Sequence, residues 1–389
     1  MDVSLPSALL GGLSPALFMR RHWQKKPLLV RQACPDVQPP LSRTELFALA
    51  SQADVESRLV RGPSQRIGST DAWQVRPGPL TRRMLPPISH SGWTLLVQGL
   101  ELHVPAARAL LDQFRFVPDA RLDDLMVSWA SPGGGVGAHL DSYDVFLLQV
   151  QGQRRWRVGK VARPAWVDGA PLKLLRDFTP TQDWLLQPGD MLYLPPGYGH
   201  EGTAEGGDCM TCSIGFRAPS GVELARELLL QLADACSDDG SASARGGAGL
   251  AVYRDPQQPA TATPAALPEA LESFARAGLA RVLSDPDALG RALGELLSEP
   301  KPRVWFESRG PARTDQGLAL DAGTRMLYDA GHVYINGESF RSGGRDAALM
   351  QGLADSRTLT GADHRRLSTP ARALVQDWVE AGWLHAFNA

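Results

Sequence analysis

Cysteine is scarce, with four in 389 residues, at Cys34, Cys209, Cys212 and Cys236. So few in so long a chain exclude a disulfide framework and fit a reducing compartment. An excess of one charge is equally lacking, with 40 Lys and Arg against 42 Asp and Glu and a formal net charge of -2. That balance removes the bulk signature of a dedicated nucleic-acid binder and leaves any partner to be found from local features. No apolar run approaches the roughly 18 residues of a membrane span, and the stretch from Met1 to Pro15 has no positively charged opening. The expectation is a cytoplasmic protein. A P-loop, a dinucleotide-binding glycine fingerprint and a nucleophile elbow are also missing.

Glycine and proline, by contrast, are plentiful at 39 and 30 residues, which points to many turns. A hydrophobic share of 43% with 21% charged residues describes a globular protein, and the length implies two or three domains. Early on, Phe18 to Val30 reads as a helix leading into a strand, with Pro27 between them. From Leu125 to Phe216 the texture becomes short β-rich runs: Leu125–Trp129, Val145–Val150, Arg155–Val158, Met191–Leu194 and Met210–Phe216. Such spacing predicts a sandwich or barrel. No helical period between these runs is long enough to supply the crossovers of a parallel sheet.

A helical stripe follows from Val222 to Leu232 and ends near Ser237. Residues 237–266, rich in Gly, Ala, Ser, Pro and Thr, read as a flexible insert. Helices are predicted over Pro268–Leu283 and Pro286–Leu297, the second with Asp285 as its N-cap. This apolar helical piece is too short to bury itself, and a second copy of the protein is its natural cover. After Pro302 come a β-type run Arg303–Phe306, a hairpin across Met326–Gly337, and helices Arg345–Ala354 and Pro370–Ala381, a winged-helix-like pattern. Ala and Leu dominate Arg345–Leu353, so the module reads as a packing or protein-interaction unit rather than a reader of nucleic acid. The predicted divisions are 1–217, 218–300 and 301–389.

The chemistry concentrates in two segments. In the first, the glycine-rich Pro132–Gly137 leads into His139-Leu140-Asp141, whose two donors share a face if the segment is extended. In the second, Pro188-Gly189-Asp190 feeds a short strand, and Pro195-Pro196-Gly197 then presents His200. Two neutral imidazoles and one carboxylate make the facial triad of a non-haem Fe(II), leaving coordination positions open for substrate and dioxygen. An anionic co-substrate would then need a buried cation. Gly152-Gln153-Arg154-Arg155-Trp156-Arg157 offers one: Arg154 shares a face with Trp156, and Arg155 with Arg157. Arg154 is the expected clamp and Arg155 its alternative if the register slips. Ser128 is a candidate hydroxyl donor to the same carboxylate, and Ser213 a weaker one. Cys209 and Cys212 have no second pair with which to hold zinc and read as strand cysteines. His22, His90, His103, His332, His364 and His385 read as surface or structural residues.

These motifs, together with the early His22-Trp23-Gln24-Lys25-Lys26-Pro27, resemble the JmjC-type ribosomal oxygenases, and within them the bacterial branch that hydroxylates an arginine of large-subunit ribosomal protein L-sixteen. The specific motifs cover the first 217 or so residues, and the remainder is similar in architecture. The resemblance implies a mainly β catalytic domain, a double-stranded β-helix of the cupin type, then an α-helical dimerisation region and a winged-helix-like C-terminal domain. It implies Fe(II), 2-oxoglutarate as co-substrate and O2, with His139, Asp141 and His200 catalytic and holding iron. Arg154 and Ser128 would hold the 2-oxoglutarate carboxylate, and most JmjC enzymes carry a lysine where this sequence has Arg154. An arginine substrate calls for acidic and aromatic neighbours, for which Asp124, Tyr143 and Asp144 are the candidates. The competing expectations are a JmjC oxygenase acting on a histidine or a methylated lysine of another protein, and a non-catalytic cupin and winged-helix binding module.

Overall fold

The computed structural model describes residues 2–63, 72–238, 252–283 and 286–387. The protein divides into two compact units, Met1–Ala218 and Pro219–Ala389.

The first unit runs α1 (Pro15–Arg21), β1 (Leu28–Val30), α2 (Arg43–Leu49), β2 (Ser57–Arg61), β3 (Gln74–Pro77), β4 (Trp93–Val97), α3 (Pro105–Asp112), β5 (Leu122–Ala130), β6 (Val145–Lys160), β7 (Gln182–Leu186), β8 (Met191–Leu194) and β9 (Tyr198–Phe216). Local chemistry accounts for the helix starts. Ser14 caps α1 by accepting from the Leu17 amide with Pro15 in the first turn, and Ser42 with Glu45 forms a capping box on α2. The helix read from Phe18 therefore begins at Pro15 and stops at Arg21, and His22 to Pro27 form the turn into β1.

The strands join in one antiparallel sheet in the order β1, β8, β6, β9, β5, β4, β2, β3, with β7 added on β6. This large sheet agrees with the cupin-type β fold expected from the sequence. Its main core is aromatic, with Phe18, Phe114, Phe146, Tyr193 and Phe216 buried together. One predicted pair of short runs is in fact a single long strand, since β6 spans both Val145–Val150 and Arg155–Val158, and β9 begins twelve residues ahead of the predicted Met210.

β6 changes face along its length. Val145 and Leu147 share an apolar cluster with Trp156 and Val158, although strict alternation would put the two pairs on opposite sides. The ladder explains this: Gln149 pairs with Thr211 but Gln151 with Met210, so β6 carries one extra residue, and Gln153 then pairs with Glu205. Such a bulge reverses the alternation downstream of it. Gly152 takes φ 65 there, and a Cβ on it would stand 2.9 Å from the Asp208 carbonyl oxygen, so only glycine fits.

The second unit contains α4 (Gly221–Asp238), α5 (Glu269–Val282), α6 (Pro286–Ser298), β10 (Gly317–Leu320), β11 (Met326–Tyr328), β12 (His332–Ile335), β13 (Glu338–Arg341), α7 (Gly344–Ser356), β14 (Thr358–Leu359), α8 (Gly361–Arg366), α9 (Thr369–Glu380) and β15 (Leu384–Phe387). Two three-stranded sheets, β14-β10-β15 and β11-β12-β13, pack with α7 and α9 around Leu318, Ile335, Leu353, Val375, Trp378 and Leu384. This arrangement agrees with the winged-helix-like pattern expected from the sequence. Arg303–Phe306 is not a strand: Arg303 takes φ 68, no ladder partner reaches it among the described residues, and Trp305 is 82% exposed. The proposed N-cap Asp285 and the stretch 239–251 of the insert lie outside the described residues.

Candidate metal centre

His139 sits in the loop before β6 and forms a single β-bridge with His200 near the start of β9, rather than lying on a strand as the spacing suggested. The two residues exchange both backbone hydrogen bonds, at 3.0 and 2.9 Å, which brings their rings to 4.2 Å between centroids. Asp141 Oδ2 stands 3.6 Å from His200 Nε2 and 4.0 Å from His139 Nε2. One donor atom from each of the three lies within 4.8 Å of the others.

The far side of each imidazole is fixed as well. His139 Nδ1 lies 3.0 Å from the Gly137 carbonyl and His200 Nδ1 3.2 Å from the Tyr198 carbonyl. A proton on each Nδ1 donated to those carbonyls leaves both Nε2 lone pairs aimed at the Asp141 side. Burial, helped by the neighbouring His139, pushes His200 down to about 4, so it stays neutral and ready to ligate. Two imidazoles and a carboxylate around one point suit a divalent non-haem metal with open positions.

The triad opens on a cavity of about 470 Å³ lined by Ser128, Arg154, Trp156 and Ser213 among others. Arg154 is only 4% exposed, and its Nε and Nη2 have no hydrogen-bond partner among the described residues. A buried guanidinium left unpaired is costly, and an anion accepting from both atoms removes the cost. Trp156 extends the same wall, its ring 5.8 Å from the Arg154 guanidinium carbon and 5.7 Å from the His200 ring. Arg155 points the other way, paired at the surface with Glu205 and with Asp183. Ser128 and Ser213 are both buried on the cavity wall.

Asp123, Asp124, Tyr143, Arg58 and Lys173 line the same cavity. Asp124 Oδ2 accepts from the Gly99 amide at 3.1 Å. Burial, with the charges of Asp141 and Asp124, pushes the Tyr143 hydroxyl up, so it remains a phenol. Asp144 is a correction. It is fully buried away from the cavity, accepting from Tyr193 Oη at 2.5 Å and Gln24 Nε2 at 3.1 Å, with Arg121 at 3.8 Å. Its neighbour Tyr143 takes the cavity side. Arg58, Trp156 and Lys173 were not anticipated there, and only Trp156 carried a signal, its shared face with Arg154.

Against known proteins, a JmjC domain matches residues 109–224 and a ROXA-like winged helix matches residues 281–385. The sequence is 36% identical over 356 residues to the ribosomal protein uL16 3-hydroxylase of Escherichia coli, covering 88% of this chain and 89% of that protein. It belongs to the JmjC ribosomal oxygenases. The structure of the E. coli ribosomal oxygenase YcfD in complex with cobalt and 2-oxoglutarate superposes on it with a TM-score of 0.76 and 32% identity, over 96% of this chain and 98% of that one. Human ribosomal oxygenase 1 is more distant, 26% identical over 216 residues, 51% of this chain and 32% of that protein. Within this family the protein carries a three-donor group that could hold a metal ion, and it has no helix long and apolar enough to cross a membrane among the described residues.

Proposed function

We propose that the protein is an Fe(II)- and 2-oxoglutarate-dependent hydroxylase that places a hydroxyl on carbon 3 of an arginine residue in ribosomal protein L-sixteen. The observation that carries this reading is the juxtaposition, in one cavity, of the His139, Asp141 and His200 donors with the buried, unpaired guanidinium of Arg154. The similarity to the E. coli uL16 3-hydroxylase supports the substrate.

His139, Asp141 and His200 are the residues that hold iron, which when bound supplies the dioxygen chemistry coupling 2-oxoglutarate oxidation to hydroxylation. Arg154 receives the far carboxylate of 2-oxoglutarate as a charge-assisted pair, and Ser128 donates its hydroxyl to the same group. The apolar faces of Leu147, Val145 and Trp156 exclude water around it. Asp124 and Tyr143 receive the substrate guanidinium, the carboxylate by charge and the phenol by its aromatic ring and hydroxyl. The balance is 2-oxoglutarate, O2 and one carbon–hydrogen bond of the substrate giving succinate, CO2 and the alcohol.

The working protein is a cytoplasmic homodimer in this reading, with residues 1–217 catalytic, 218–300 for dimerisation and 301–389 as the winged helix. Val222 and Leu230 on α4 and Leu271, Phe274 and Leu279 on α5 are 81%, 51%, 39%, 40% and 58% exposed in a single copy, apolar side chains that a second copy would cover. Light scattering that returns the mass of one copy would remove the dimer from the proposal.

The test is anaerobic Fe(II) reconstitution followed by 2-oxoglutarate turnover, with and without a fragment of L-sixteen. Fragment-stimulated succinate with a 16 Da gain on an arginine is the expected result. Succinate independent of the fragment would keep the oxygenase and discard the substrate, and a loss of 14 Da from a methylated peptide would make it a demethylase.

A further inference from the structure

Arg154 reaches the cavity only because β6 breaks its own alternation. Carried forward from Val145 and Leu147 without the bulge, the inward face would hold Gln153, Arg155 and Arg157. Arg155 is then the wrong arginine, one residue and roughly 3.3 Å further along the strand. Something must hold the bulge in place.

Gln149 is fully buried at the start of the bulge. Its Nε2 donates to the Gln151 carbonyl at 2.7 Å and to the Gly152 carbonyl at 3.3 Å, so one amide grips the peptides on both sides of the left-handed Gly152. Its Oε1 accepts from Thr211 Oγ1 at 2.8 Å, on the partner strand, and Thr211 is also fully buried. Cys209 Sγ lies 3.4 Å from the same Nε2. The hydroxyl of Thr211 fixes the carboxamide's orientation: with Oε1 occupied as acceptor, the two N–H bonds face the carbonyls of the bulge.

The partner strand bulges in concert. Between Met210 and Glu205, β9 carries three more residues than β6, so its alternation reverses too: Ser213 lines the cavity from one side of the break and His200 from the other. Asp208 in that excursion is tied to Arg43 and accepts from Trp129 Nε1 at 3.0 Å. Gln149 and Thr211 form a side-chain hydrogen bond between the two bulged strands.

We infer that Gln149, oriented by Thr211, is a positioning residue for co-substrate binding: it locks the β6 bulge that turns Arg154, rather than Arg155, into the cavity. The inference rests on the reading of Arg154 as the carboxylate clamp. A buried amide with all its bonds made specifies one register where an apolar side chain would tolerate either.

The experiment compares Gln149→Met, which keeps volume and removes the hydrogen bonds, with Thr211→Val, Thr211→Ser and Arg154→Met in the full-length protein. Each is measured by calorimetric titration of 2-oxoglutarate into Mn(II)-loaded protein, by Mn(II) affinity, and by kcat and KM. Gln149→Met is expected to weaken 2-oxoglutarate binding and raise its KM at least about tenfold, with Mn(II) affinity held within about twofold. Its kcat at saturating 2-oxoglutarate should stay within about threefold of the parent. Thr211→Val should move the same way by about threefold, and Thr211→Ser should restore the parent value. If Gln149→Met does not fold, Thr211→Val against Thr211→Ser decides alone. Parent-like 2-oxoglutarate binding in folded Gln149→Met and in Thr211→Val, beside a loss in Arg154→Met, overturns the inference and spares the clamp. Equal losses of Mn(II) and 2-oxoglutarate affinity overturn it as well, since they mark a general loosening. Parent-like binding in Arg154→Met removes the clamp itself, and this inference with it.

Discussion

His139 and His200 each donate a backbone N–H to the other's carbonyl, so the two imidazoles are set by main-chain bonds before any metal arrives. Asp141, two residues after His139, reaches both Nε2 atoms from the same loop. The bridge uses no side-chain atom, so side-chain truncation should separate metal binding from folding. His139→Ala and Asp141→Asn are expected to lose Fe(II) affinity by about a hundredfold or more and to abolish turnover, with a melting temperature for the metal-free protein near that of the parent. Calorimetric Mn(II) titration and a thermal melt on the same samples check this, and a collapsed melt in both variants would assign the pair a structural role instead.

Asp124 is held in place by the Gly99 amide while its side chain lines the same cavity as Arg154. Asparagine can still accept that bond but carries no charge for a guanidinium. Asp124→Asn should therefore raise KM for the L-sixteen fragment by about tenfold or more, the worth of one charge-assisted hydrogen bond, and leave KM for 2-oxoglutarate unchanged. A rise in both constants together would place the effect on the site as a whole.

The grouping of His139, Asp141 and His200 was legible in the sequence because the three lie in turn-rich motifs whose spacing is itself informative, His139-x-Asp141 after a glycine run and His200 after Pro195-Pro196-Gly197. The placement of Arg154 on the cavity wall was legible for a different reason. Counting back from Trp156 puts the two on one face, whereas counting forward from Val145 selects Arg155, and only the break at Gly152 reconciles them. Asp144 was misread as substrate-facing because its partners, Gln24 and Tyr193, are distant in the sequence and leave no local trace. The same holds for β10, β14 and β15, which went unpredicted: they are two to four residues long, and their pairing is set by tertiary contacts rather than by period. Arg303–Phe306 is the converse case, with strand-like residues and no partner strand among the described residues.

The buried carboxylate of Asp144 depends on Tyr193. The hydroxyl donates to Asp144 and accepts from the Gln24 backbone amide, and Gln24 itself takes φ 55, so this oxygen and the Gln24 side-chain bond to Asp144 together fasten the turn after His22. Burial and then the Asp144 hydrogen bond and charge push the Tyr193 hydroxyl up, so it is a donor at every working pH. Tyr193→Phe strips a donor from a fully buried carboxylate and an acceptor from a backbone amide. A loss of about 2 to 3 kcal/mol in stability is expected from urea unfolding, with no change in Mn(II) affinity. A neutral result would mean that water replaces the phenol.

Asp190, in the turn between β7 and β8, fastens β1 to the sheet. Its Oδ2 lies 2.6 Å from Arg31 Nη1 and accepts from the Gln187 amide at 3.0 Å, while its Oδ1 accepts from the Gln32 amide at 3.0 Å. Burial pushes this carboxyl up, but the two amides and the Arg31 guanidinium outweigh it and hold Asp190 below its ordinary value of 3.8. A carboxyl depressed on folding adds stability that is complete above its unfolded value and is lost as pH falls through the folded one, because the unfolded protein takes up the proton first. The contribution is thus constant at neutral pH and disappears only below about pH 3.8. Asp190→Asn should cost about 2 kcal/mol at pH 7, since asparagine cannot accept all three bonds. It should also flatten the fall in melting temperature below about pH 4, where the parent loses what the variant never had. Melts at neutral, mildly acidic and strongly acidic pH on both proteins test this, and parallel slopes through the acid range would show that the charge of Asp190 contributes nothing to holding β1.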